Sequence, residues 1–148
     1  MNVKDQFANA ENELKKGRVK VAVDVLKSIL KNQPDEPNSL RLLGLIALGQ
    51  KDYKASLEFL EQACRSAPNF FHARLDYGRA LFFSGELKKA FEVLTRICDQ
   101  QPSAESFQML GNVQAGLGRR DDAVVSFKKS IELDPFRAQI SSGVKALG

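Results

Sequence analysis

The sequence predicts an all-α chain built as a stack of helix–turn–helix repeats, and three observations carry that prediction. Prolines stand at Pro34, Pro68, Pro102 and Pro135, separated by 34, 34 and 33 residues, and only Pro37 falls outside the series. Small residues keep step with them: Ala22, Ser56, Ala90 and Ala123 precede the prolines by 12, and Ala10, Gly44, Gly78 and Gly111 lie another 12 back. Between these columns the apolar residues recur with a helical period. Three columns in step over four cycles make a tandem repeat.

The elements follow in order. The first repeat, 3–36, opens with Phe7, Ala10 and Leu14 on one face and turns at the KKGR string of 15–18. The second, 37–70, carries Leu40, Leu43, Gly44 and Ala47 at i, i+3, i+4 and i+7, then Leu57, Leu60 and Ala63. The third, 71–103, repeats this with Tyr77, Gly78 and Leu81, then Phe91, Leu94 and Ile97 around a Ser84-Gly85 turn. The fourth, 104–137, has Phe107, Leu110 and Gly111, then Val124, Phe127 and Ile131 after the Gly116-Leu117-Gly118 turn. One residue fewer lies between Pro102 and Gly111 than in the preceding cycle, which predicts a tight entry loop.

Each punctuation mark has a cause. Gly accepts the left-handed backbone that ends a first helix. Pro ends the second, because it lacks an N–H and disfavours helical geometry in the residue before it. The small columns predict helix crossings, since antiparallel helices approach to about 8 Å only where one offers Gly or Ala. Gly44 with Ser56, Gly78 with Ala90 and Gly111 with Ala123 are the expected pairs. A Gly inside a helix costs about 1 kcal/mol against Ala, so its recurrence asks for a compensating close contact.

Composition bounds the function. The chain has 148 residues, 43% hydrophobic and 27% charged, with ten Phe, which is globular and not disordered. Residues 1–70 hold eleven bases and nine acids and residues 71–148 the same, so the net charge of +4 forms no basic block. The N-terminus has no apolar stretch of signal-peptide length, and the run from Leu42 to Leu48 is far short of the roughly 20 residues of a membrane span. Two Cys and one His, without CxxC or HxxxH spacing, exclude a structural zinc site and a secreted disulfide scaffold. The expectation is a soluble cytoplasmic protein with no metal and no cofactor. Its partner is a protein or peptide, with no nucleic acid and no membrane insertion expected.

LeuLeuGly at 42–44, TyrGly at 77–78 and LeuGly at 110–111, each followed by the small column and Pro, resemble the tetratricopeptide repeat, as does the ending IELDP at 131–135. The resemblance covers residues 3–137 and implies a right-handed superhelical stack, an α-solenoid. Against that pattern the first repeat departs with polar Gln6, Asn9 and Glu13. Lys51 stands where the second repeat's turn should have Gly, and Gly49 is expected to take over its role. The stretch 138–148, continuing from Phe136 with Ile140, Val144 and Leu147 on one helical face, fits a C-terminal capping helix or the start of a fifth repeat.

No catalytic constellation is visible. His72 has no nucleophile placed by a motif, and there is neither a phosphate-binding Gly loop nor a GxGxxG string. The acid pairs Asp35-Glu36 and Asp121-Asp122 fall at helix starts, where they oppose the positive end of the helix dipole. Arg119-Arg120 is expected in a solvated turn. Cys64 and Cys98 occupy equivalent positions of adjacent repeats, too far apart for a bridge at about 10 Å between stacked helices. They read as small core residues, with a redox switch as the sharper alternative.

In the family resembled, the first helix of each repeat lines a concave groove. The groove-facing stripe would comprise Asn38, Arg41, Leu45 and Leu48, then His72, Leu75, Arg79 and Phe82, then Glu105, Gln108, Asn112 and Ala115. The candidate partner-binding residues are Arg41, Leu45, Leu48, His72, Leu75, Arg79, Phe82, Gln108 and Asn112, the last matching a position where the family presents an Asn to a bound peptide backbone. A segment with an apolar anchor and an acidic group would complement them. The family's chaperone-tail clamp is not reproduced: its positions hold Phe7, Glu11, Leu42, His72 and Asp76, or Arg41, Leu45, Asp76, Glu105 and Met109 in the shifted frame.

Three function classes remain. The first is a non-catalytic protein-interaction scaffold. The second is the N-terminal docking or regulatory region of a larger enzyme, as in bacterial sulfotransferase-like or glycosyltransferase-like proteins. The third is a helical-repeat RNA binder, against which the even charge and the acids Asp76 and Glu105 count.

Overall fold

The computed structural model describes residues 1–136, and among these it contains eight α-helices and no strand. They are α1 (Val3–Lys15), α2 (Val19–Asn32), α3 (Pro37–Gly49), α4 (Tyr53–Ser66), α5 (Phe71–Phe83), α6 (Leu87–Gln100), α7 (Ala104–Gly116) and α8 (Arg120–Leu133). The expected element at 138–148 lies outside the described residues. The chain forms two compact units, Met1–Ala80 and a second beginning at Leu81, so the boundary falls inside α5 and not between repeats. In a repeat array each element touches mainly its neighbours, and no loop need mark a division.

In the first unit α1 packs on α2, α2 on α3, and α3 on α4. Ala10, Ala22, Leu26, Ile29 and Leu43 are buried together, with Phe7, Leu14 and Val3 packed against them, so the three apolar residues of the divergent first helix do enter the core. A second cluster joins Leu40, Ala63 and Ala73. Several helices start on side-chain caps, which satisfy orphan backbone N–H groups. The Asn2 carboxamide accepts from the Asp5 N–H at 2.8 Å. Glu36 accepts from Asn38 and Ser39 ahead of Pro37, and Asp52 accepts from Ala55. In the second unit α6 packs on α7 and α7 on α8. There Ser103 and Ser106 form a reciprocal capping box at the start of α7.

The turns inside the hairpins share one geometry. Gly17, Gly85 and Gly118 have φ of +78°, +87° and +80°. In the second repeat Lys51 itself takes φ +61°, while Gly49 is the last residue of α3. The expectation that Gly49 would supply the turn is therefore corrected. The Asp52 N–H must reach back to the Ala47 carbonyl, at 2.9 Å, and only the residue at 51 is placed to reverse the chain for that bond.

The small columns do bring helices together. The Ser56 hydroxyl donates to the Gly44 carbonyl at 2.8 Å, and a Cβ on Gly44 would sit 2.6 Å from Leu60 Cγ. A Cβ on Gly111 would lie 2.5 Å from the Phe127 ring, so the side chain facing it is Phe127, one helical turn beyond the expected Ala123.

Candidate binding surface

In the first unit, α3 presents Arg41, Leu45 and Leu48 at i, i+4 and i+7, all partly exposed. Helix α5 presents His72, Asp76 and Arg79 at the same intervals. The two stripes meet at Asp76, whose side chain is only 5% exposed. Arg41 Nε donates to Asp76 Oδ2 at 2.6 Å and an Arg79 terminal nitrogen donates to Oδ1 at 3.2 Å. Each carboxylate oxygen thus accepts from a different guanidinium. Burying a carboxylate is tolerable only with such charge-assisted partners. The Arg41 guanidinium also lies 5.8 Å from the centroid of the Phe70 ring, within cation–π range.

His72 is exposed, its ring edge-on to Phe71 at 5.6 Å. Leu75 does not belong to the stripe. It is 1% exposed, because α5 buries apolar side chains on more than one face, with Ala73, Ala80 and Leu81 also buried. Arg41 and Arg79 are both partly exposed and both bonded to Asp76, so neither is simply a cation offered to solvent.

The second unit holds Phe82, Gln108 and Asn112. Phe82 is half-buried, stacks edge-on against the exposed Phe83 at 5.3 Å, and approaches the place of a Cβ on Gly116 to 3.9 Å. Gln108 is half-buried and Asn112 exposed. Behind them, the Ser126 hydroxyl donates to the Gln114 side-chain oxygen and the Ser130 hydroxyl to the Ala104 carbonyl, both at 2.6 Å. Arg119 is not merely solvated in its turn, because its guanidinium lies 4.6 Å from the Phe91 ring centroid.

Neither cysteine is in a disulfide. Burial pushes the Cys64 thiol up to about 11, with Arg74 pulling the other way. Burial also raises Cys98, opposed by a hydrogen bond with Ser106. Thiols shifted this way are poor nucleophiles and fit a packing role better than a redox one. Among the described residues no group of three or more His, Cys, Asp and Glu could hold a metal ion, and no helix is long and apolar enough to cross a membrane.

Asp76 is the residue that sequence reasoning passed over, noting it only as an acid near the groove. Two signals pointed to it. It stands alone as an acid amid the apolar residues of α5, and Arg79 follows it at i+3.

Models described as Tetratricopeptide repeat match residues 7–69, 47–113 and 104–137. No curated protein matches the chain. Among solved structures, MamA 41-end from Desulfovibrio magneticus RS-1 aligns with a TM-score of 0.80 at 22% identity, covering 89% of this chain and 75% of that one. A crystal structure of MamA gives 0.81 at 23%, with 93% and 81% covered. YrrB, described as a TPR protein with an unusual peptide-binding site, gives 0.81 at 22%, with 95% and 73% covered. At such identities the likeness concerns the fold. The three family matches, which span nearly the whole chain, establish that this protein belongs to the tetratricopeptide repeat family.

Proposed function

We propose that this protein is a non-catalytic interaction module that binds a peptide segment of a partner protein through the first helices of its repeats. The observation that carries the reading is the surface of α3 and α5 in the first unit. Partly exposed Leu45 and Leu48 flank two arginines whose orientation is held by a buried carboxylate. Arg and large apolar side chains dominate interface energy when a partner covers them. The ligand chemistry that matches is an apolar anchor beside an acidic group. In the second unit, Phe82, Gln108 and Asn112 supply a contact set of their own, with Asn112 able to pair with a peptide backbone. YrrB, with its unusual peptide-binding site, supports this reading by analogy of fold. Two free thiols suit a reducing cytoplasm.

The test is capture of partners compared across the parent and single variants. Leu48→Glu and His72→Glu are expected to lower capture at least about tenfold while retaining helicity. Arg120→Glu, exposed at the first residue of α8, is the charge-matched control and should retain it. Arg79→Glu is a poor probe, because it sets a second carboxylate against the buried Asp76 and would unsettle the fold. Arg119→Glu is equally unsuited as a control, since it removes the contact with Phe91. Capture of the same partner by the parent, Leu48→Glu and His72→Glu alike would refute the reading.

A further inference from the structure

We infer that Asp76 is the positioning residue of this surface, and that it makes the surface select one acidic side chain at one fixed place in a bound segment. The inference rests on the peptide-binding reading above and deepens it. It starts from what Asp76 costs. A buried carboxylate is expensive, and replacing a buried ionic group by apolar side chains is often neutral or stabilising. On a helix whose neighbouring positions include buried Ala73, Leu75 and Ala80, an apolar residue at 76 would be the simpler way to fill the space. Asp76 instead commits each of its oxygens to a guanidinium.

The geometry of Arg41 shows what that achieves. Arginine has a planar fork of five N–H donors, and Asp76 engages the Nε edge. The fork is held from that side by a 2.6 Å bond and faces the Phe70 ring, so its plane and direction are set before any ligand arrives. Arg41 is about one-third exposed, 32%, and the described bond to Asp76 leaves its two terminal nitrogens to meet a ligand. A carboxylate from Asp or Glu matches that terminal edge with two parallel hydrogen bonds. Prior ordering lowers the cost of forming them. Arg41 offers one terminal edge, which matches one carboxylate and not an acidic run. Leu45 and Leu48 follow on the same face of α3, so the acid's place in the segment is fixed relative to apolar neighbours.

Positioning and plain charge predict opposite results when Asp76 is neutralised. Without its carboxylate the surface becomes more positive, so attraction by charge alone would raise the acid content of bound peptides. If Asp76 positions Arg41, the acid instead loses its fixed place. The experiment pans a random peptide library, displayed on phage, against the full chain, Asp76→Asn and Arg41→Lys. The parent is expected to enrich Asp or Glu roughly tenfold at a single position beside apolar residues, the ratio one oriented ion pair supplies. Asp76→Asn should spread acids over several positions without lowering their total. Arg41→Lys keeps the charge, lacks the fork and perturbs only a partly exposed side chain, so it should lose the single-position preference with the fold intact. Parent peptides that are apolar but carry no placed acid would overturn the inference and leave the peptide-binding reading standing. No enriched peptide at all would overturn both. Retention of the single-position preference by Asp76→Asn or by Arg41→Lys would overturn the positioning role.

Discussion

Gly44 and Gly111 hold the same place in their hairpins, and the side chain that leaves no room for a Cβ comes from the same interval along the chain, 44 to 60 and 111 to 127. The surroundings differ. Leu60 is fully buried, whereas Phe127 keeps part of its ring in solvent. On α4 the buried residues are Ser56, Leu60 and Ala63, while on α8 they are Ala123, Ser126 and Ser130, smaller and more polar. The serine hydroxyls answer to different partners as well, a backbone carbonyl in the first hairpin and the Gln114 side chain in the second. The glycine column therefore sets how near two helices come. How much that nearness is worth depends on whether the facing side chain can move.

The sharpest way to break this comparison is to add the missing methyl group in both hairpins. Gly44→Ala should destabilise by about 1–3 kcal/mol, because Leu60 is enclosed and cannot yield without strain. Gly111→Ala should come out within about 1 kcal/mol of the parent. Its Phe127 ring has solvent to move into, and Ala gains about 1 kcal/mol over Gly in a helix interior. Urea denaturation of both variants checks this. Equal losses would mean that solvent access at Phe127 is irrelevant and that backbone separation alone decides.

The serine pair gives a smaller contrast. Ser126→Ala leaves the buried Gln114 oxygen without its donor and should cost about 1–2 kcal/mol. Ser56→Ala removes a bond to a carbonyl that already accepts within its own helix, and should cost about half as much. Thermal melts of the two variants would reverse this order if the Gln114 side chain could turn to another donor.

The features legible in the sequence were those written locally. Four prolines, two small columns and a helical period disclosed the hairpins because turn chemistry and helix crossing act within a few residues of where they are encoded. The helical spacing of the candidate stripe was legible, and the contacts of its side chains were not. Leu75 was placed on the exposed stripe because α5 is apolar on several sides, and periodicity cannot tell which apolar face is covered when neighbours pack on more than one. Asp76 was missed as the organiser of Arg41 because the two are 35 residues apart, and nothing local to either announces the pairing. Arg119 looked like a turn cation until its position over Phe91 was known. In each case the information lay in a tertiary contact, where a long side chain chooses among several partners in reach.

The last contrast lies in the turns of the first unit and is the smallest. Gly17 and Lys51 close the α1–α2 and α3–α4 hairpins with φ of +78° and +61°. A side chain in the left-handed region costs an L-residue about 1–2 kcal/mol, which Gly avoids. Gly also widens the unfolded ensemble, which offsets roughly 0.5–1 kcal/mol of that gain. Lys51→Gly should therefore stabilise by about 0.5–1 kcal/mol, and Gly17→Ala should destabilise by about 1 kcal/mol. A Cβ on Gly17 would meet nothing within 4 Å, so its penalty is one of backbone strain alone. Lys51 is exposed, so its replacement removes little packing. The paired signs are the test, read as melting temperatures of the two variants against the parent, each shifted by about 2–4 °C in opposite directions. A loss of stability in Lys51→Gly would show that a contact of the lysine side chain offsets its strained backbone, and the turns of the two hairpins would then differ in more than residue type.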